Sequence, residues 1–278
     1  MKGHDFCAGG INYRTTCLPN LAYNRNMPSF ELRYFSNALQ MATAANVILP
    51  SPEVNGPYHV MFLLHGLSDD HTIWSRRTSI ERYVEGLPLI VVMPDGGRGW
   101  YCDAVQGFAY ETAIAVELPK IIEGYFSTKL PWCVTGLSMG GYGAAKLALK
   151  YPARFQSGHS HSGALLFGHL TPEVASDSNT SRRDVQPEFQ RILGESPLGG
   201  PNDLCGIAER LPAGSRPALR IDCGTEDFLL EDNRAFIKQL NSFGFEHEYQ
   251  EFPGSHEWGY WDCHVQDAIA FHRKNLHF

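Results

Sequence analysis

The sequence predicts an α/β fold: a mostly parallel central sheet with helices on both of its faces. Three observations carry this prediction. Short, almost continuously apolar runs recur at 58–64, 89–93 and 218–223; such runs are what strands buried on both faces look like. Helical patterns at 109–126, 142–150, 231–243 and 260–275 alternate with strand-like runs, the order of βαβ units. The most distinctive motifs fall directly after the runs, where open parallel sheets form their sites.

Taken in order, residues 1–29 are irregular, with Asn, Gly, Pro and two cysteines, and read as an arm. Runs at 30–35 and 39–49 pair as strands and end at Pro50-Ser51-Pro52. The strand at 58–64 stops at His65-Gly66, and the strand at 89–93 stops at Pro94-Asp95-Gly96-Gly97. The helix over 109–126 takes its apolar positions from Ala113, Val116, Leu118, Ile121 and Ile122. Pro131-Trp132-Cys133-Val134-Thr135 is a strand that leads into the helix at 142–150, and 155–160 is a further strand. The irregular stretch 165–217 is long enough to be a cap insertion over the site. The strand at 218–223, the helix at 231–243, the last strand at 246–252 and the last helix at 260–275 complete a single α/β domain over 30–278.

The chain has 278 residues, 43% hydrophobic and 19% charged, ordinary values for a globular domain with a sizeable core. A net charge of −7 argues against nucleic acid or an anionic membrane as partner. No apolar run approaches the roughly 18 residues of a membrane helix. Met1-Lys2-Gly3-His4-Asp5-Phe6 lacks the apolar core of a leader peptide. A cytoplasmic location is expected, although a chain already cleaved from its leader reads the same way. The seven cysteines are scattered and include no C-x-x-C pair, so they read as free thiols, with Cys133 and Cys223 in the core.

Gly136-Leu137-Ser138-Met139-Gly140 stands between a strand and a helix. Strand, G-x-S-x-G, helix is the nucleophile elbow of an α/β-hydrolase. In that fold the acid and then the base follow the serine along the chain. Asp227 lies in the loop after the 218–223 strand, whereas Asp222 is still within it and Glu226 points elsewhere. Of the five histidines after Asp227, His256 lies in a loop just past the last strand. His247 is inside a strand, and His264 and His272 are on the final helix. The catalytic expectation is therefore Ser138 as nucleophile, His256 as base and Asp227 as the group that orients the imidazole. Backbone N–H groups of Leu67 and Met139 are the expected oxyanion hole. Trp100, Tyr101 and Trp258 are candidates for pocket walls, with packing at the core edge as the equal alternative. His65 reads as a buried hydrogen-bonding residue. His159 and His161 share one face of a strand, but two ligands with no third in view do not make a metal site.

Five blocks then resemble the esterase D family of α/β-hydrolases: Leu63-Leu64-His65-Gly66, Met93-Pro94-Asp95-Gly96-Gly97-Arg98-Gly99-Trp100-Tyr101, Gly136 to Ala144, Cys223-Gly224-Thr225-Glu226-Asp227-Phe228-Leu229, and Gly254 to Asp262. The family includes S-formylglutathione hydrolases, tributyrin esterases and some feruloyl and acetyl-xylan esterases. The resemblance runs from about residue 30 to the C-terminus and is strongest to the tributyrin-esterase side. It implies a short-chain carboxylesterase acting on a small-molecule ester, without cofactor or metal, in a family where homo-oligomers are common. It leaves open acetyl or feruloyl esters of sugars, a thioester of the S-formylglutathione type, and acyl transfer. A binding module that had lost its chemistry is expected to have lost a triad member, and all three stand here.

Overall fold

The computed structural model describes residues 27–169 and 186–278. Most of the expected arm, 1–26, and the middle of the expected cap, 170–185, lie outside the described residues. Eight strands form one sheet: β1 (Ser29–Ser36), β2 (Met41–Ile48), β3 (His59–Leu64), β4 (Leu89–Pro94), β5 (Trp132–Leu137), β6 (Phe155–His161), β7 (Ala218–Gly224) and β8 (Glu248–Phe252). Their spatial order is β1-β2-β4-β3-β5-β6-β7-β8. β1 pairs antiparallel with β2, and β2 antiparallel with β4; all the other neighbours are parallel. The sheet is mostly parallel, as expected.

The central strands are apolar throughout because both faces are covered. Along β3, Val60, Phe62 and Leu64 join one core, while Met61 and Leu63 join the other, the two-residue alternation of a strand. The first core packs under α5 (Met139–Lys150), α4 (Leu118–Tyr125) and α8 (Leu230–Ser242) through Tyr142, Ala145, Leu118, Ile122 and Phe236. The second packs under α9 (Trp258–Leu276) and α1 (Ile73–Arg77) through Trp261, Val265, Ile269 and Trp74.

The helix expected over 109–126 runs unbroken over 110–125 but is not α-helical throughout. A short turn, α3 (Tyr110–Thr112), runs into a π-helical turn at Ala113–Glu117 and then into α4. Pro119 supplies a reason: it has no N–H to give, and its ring crowds the carbonyl four residues back, so a wider turn relieves the clash. The turn also aims Glu117, whose carboxylate accepts from Ser36 Oγ (2.5 Å) and Ala38 N (3.0 Å) and so ties down the β1–β2 hairpin.

Four short helices had no sequence expectation: α1, α2 (Ile80–Tyr83), α6 (Gln186–Leu193) and α7 (Leu204–Arg210). The last two belong to the stretch 165–217. That stretch is tied to the domain through Lys146, a wholly buried lysine of α5. Its Nζ donates to Asn202 Oδ1 (2.6 Å) and Tyr101 O (3.0 Å) and pairs with Glu111 (2.8 Å).

Candidate active site

Ser138 is the turn between β5 and α5, with φ 53° and ψ −117°. A non-glycine residue in this region carries strain of order 1–3 kcal/mol and persists only where its surroundings enforce it. Here they do. Ser138 N donates to His161 O (3.0 Å), and Ser138 O accepts from Tyr142 N (3.0 Å) and Ala164 N (3.2 Å). The flanking glycines are required by contact: a Cβ on Gly136 would stand 2.2 Å from Gly140 O, and one on Gly140 would stand 2.5 Å from the carbonyl oxygens of Leu64 and His65. Met139 is the first residue of α5, so its N–H belongs to the first turn, which has no intrahelical partner.

The loop after β3 presses against this elbow. A Cβ on Gly66 would lie 2.7 Å from Leu137 Cδ1 and 3.6 Å from Ser138 Cβ. Its carbonyls are held one by one. Leu64 O accepts from Trp74 Nε1 (3.1 Å), His65 O from Tyr101 Oη (2.9 Å), and Gly66 O from His65 Nδ1 (2.7 Å). His65 Nε2 accepts from Gly96 N (2.8 Å), which assigns its ring proton to Nδ1. Because a trans peptide is planar, its C=O and N–H point in opposite directions. Fixing Gly66 O therefore fixes the direction of the Leu67 N–H. His65 is buried and hydrogen-bonded at both nitrogens.

Asp227 follows β7 and His256 follows β8, at the same sheet end as Ser138. Asp227 Oδ2 accepts from His256 Nδ1 at 2.8 Å, and its Oδ1 accepts from Leu229 N at 2.8 Å. A carboxylate can only accept, so Nδ1 carries the proton and Nε2 keeps its lone pair. The two loops are clasped by Thr225 N to Phe252 O (2.8 Å), Glu226 N to Gly254 O (3.0 Å) and Gly254 N to Glu226 Oε2 (2.6 Å). Among the described residues, Ser138 Oγ makes no hydrogen bond with His256. Links of this kind are often loose until substrate binds.

The aromatic candidates fall in three environments. Tyr101 is wholly buried, and its hydroxyl braces the loop at His65. Trp100 is buried, stacks on Phe167 at 3.7 Å and donates to Glu188 Oε2 at 3.2 Å. Both have positive φ, 51° and 52°. Trp258 is half-buried and packs edge-on against Trp74 (5.3 Å) and Trp261 (5.2 Å).

The structure also supplies what the His159/His161 pair lacked in the sequence. Register pairs His161 with Asp222 on β7, and Asp222 accepts from His159 Nε2 (2.6 Å), His161 Nδ1 (2.9 Å) and Tyr260 Oη (3.0 Å). Burial raises the Asp222 carboxyl, but His161 and His159 outweigh that and hold it well below the usual range. The three residues are close enough to share a cation, yet the far nitrogens, His159 Nδ1 and His161 Nε2, are buried without partners among the described residues. Metal bound at the near nitrogens would force protons onto those orphaned atoms, whereas metal-bound histidines normally give their second N–H to an acceptor. The set suits a hydrogen-bonded cluster. A second group, His169, Asp203 and Cys205, also lies close together, and burial pushes its thiol up to about 12. Asp222 links the segments that carry Ser138 and His256: His161 gives its carbonyl to Ser138 N, and Tyr260 packs against Gly254 in the His256 loop.

Residues 36–272 match the model of a family described as Putative esterase. The chain belongs to that family. It is 24% identical over 265 residues to an acetyl esterase of Caldicellulosiruptor saccharolyticus, an alignment covering 89% of this chain and 99% of the relative. Among solved structures it is similar to the fluorophosphonate-binding serine hydrolase FphF of Staphylococcus aureus, with a TM-score of 0.76 and 29% identity over 88% of this chain and 97% of that one. It is also similar to the S-formylglutathione hydrolase FrmB of the same organism, with a TM-score of 0.74 and 28% identity over 88% and 98%. This member of the esterase family has the α/β-hydrolase fold and is a carboxylic ester hydrolase. No helix among its described residues is long and apolar enough to cross a membrane.

Proposed function

We propose that this esterase hydrolyses short-chain acyl esters by a Ser138–His256–Asp227 triad through an acyl-enzyme. The observation that carries the reading is the strained Ser138 elbow at the sheet end where Asp227 holds His256 Nδ1 at 2.8 Å. His256 Nε2 takes the Ser138 proton as Oγ attacks the ester carbonyl, then gives it to the departing alcohol; water repeats the sequence on the acyl-enzyme. Met139 N–H and Leu67 N–H receive the oxyanion. The acetyl esterase relative supports a short acyl group, and acetyl or feruloyl esters of sugars are natural substrates to test. The likeness to FrmB supports a thioester as the second reading. Hydrolysis of p-nitrophenyl esters from acetate to laurate tests the proposal, with Ser138→Ala alongside. Activity that peaks between acetate and butyrate and is lost in the variant is the expected result. S-formylglutathione turned over far faster than any oxygen ester would favour the thioester reading.

A further inference from the structure

Three groups surround the His256 imidazole. Asp227 holds Nδ1, and Trp261 packs edge-on at 4.9 Å and 89°. Phe228, the residue after Asp227, places its ring 4.4 Å away at 48°. Asp227 and Trp261 are buried, but Phe228 is 59% exposed. The imidazole already has a hydrogen bond and an aromatic edge to orient it, so the wide apolar face that Phe228 shows to water is not explained by holding the base.

The chemistry of the proposed triad says what can cover that face. His256 Nε2 delivers its proton to the leaving oxygen, so that oxygen comes within about 2.6–3.2 Å of Nε2. The carbon skeleton attached to it then lies beside the imidazole, within reach of the Phe228 ring 4.4 Å from it. An alcohol with a flat apolar face can lie against the ring and remove both surfaces from water. A methyl or ethyl group is too small to cover it.

We propose that Phe228 is a leaving-group platform that selects esters whose alcohol carries a flat apolar face next to the ester oxygen. This rests on the triad reading given above. The test compares kcat/KM for benzyl butyrate and methyl butyrate, which share an acyl group, in wild-type protein, Phe228→Ala and Phe228→Tyr. The expected result is a benzyl-to-methyl ratio that falls about tenfold in Phe228→Ala, about 1.4 kcal/mol, and returns toward wild type in Phe228→Tyr. An unchanged ratio overturns the proposal. If both esters slow equally, Phe228 only steadies the imidazole; if neither slows, the ring does not meet the substrate. Wild-type protein that turns over neither ester, nor p-nitrophenyl butyrate, overturns the short-chain ester reading on which this proposal rests. Thermal unfolding of each variant separates these outcomes from misfolding.

Discussion

His65 touches no reacting atom, yet its hydrogen bond to Gly66 O sets the peptide that presents the Leu67 N–H. Two substitutions separate its two bonds. The amide of asparagine can replace Nδ1 and still donate to Gly66 O; the amide of glutamine reaches the Nε2 position and can accept from Gly96 N. His65→Gln therefore loses the 2.7 Å bond and His65→Asn loses the 2.8 Å bond. Each loss costs about 1 kcal/mol of stability, so the two variants unfold at similar denaturant concentrations. Their activities differ. With Gly66 O held only by the longer bond from Asp69 N (3.4 Å), the Leu67 N–H can turn away from the expected oxyanion position, and a lost oxyanion donor costs about 2.7–4 kcal/mol, or 10²–10³ in kcat. His65→Gln is expected to lose about a hundredfold in kcat with little change in KM, and His65→Asn less than about tenfold. The assay is steady-state hydrolysis of p-nitrophenyl butyrate beside urea unfolding. Equal losses in the two variants, or a wild-type kcat in His65→Gln, would refute the assignment of this peptide to the oxyanion hole.

Further predictions follow from the same geometry. Asp227→Asn is expected to lower kcat about 10⁴-fold by stabilising the wrong imidazole tautomer, and a loss below tenfold would remove Asp227 from the triad. Tyr260→Phe, which deletes the bond to Asp222 beneath the His256 loop, is expected to cost about 1 kcal/mol of stability and several-fold in kcat; unchanged kcat would confine Tyr260 to a structural role. Burial lowers His159 to about 4, against about 6.5 in an unfolded chain. Between these values the unfolded chain binds a proton that the folded chain refuses. Unfolding free energy therefore falls with falling pH in that window, by up to about 1.4 kcal/mol per unit. Buried His272, also lowered by desolvation, adds to it with the same sign. Urea unfolding from pH 7 to 4 measures the slope, and a flat profile would show that these imidazoles are not held neutral.

Much of the fold and the candidate triad was legible in the sequence because each depends on local pattern. Strands buried on both faces advertise themselves as apolar runs, and Ser138, Asp227 and His256 each follow a strand directly. What depended on register was not legible. Asp222 looked like one more strand residue until β6–β7 pairing set it against His161. Nothing marked Lys146 as a buried charge, because its partners Glu111 and Asn202 come from distant segments. Helices α1 and α2 are too short to show a period. The side chains of Trp100 and Tyr101 turn on positive φ values that no aromatic residue signals.

Covalent labelling with a fluorophosphonate probe, followed by peptide mapping, identifies the nucleophile directly. A single adduct is expected on the peptide carrying Ser138, formed by wild-type protein and absent from folded Ser138→Ala. An adduct on another residue, or none on folded wild-type protein that still hydrolyses esters, would contradict the assignment of Ser138 as nucleophile.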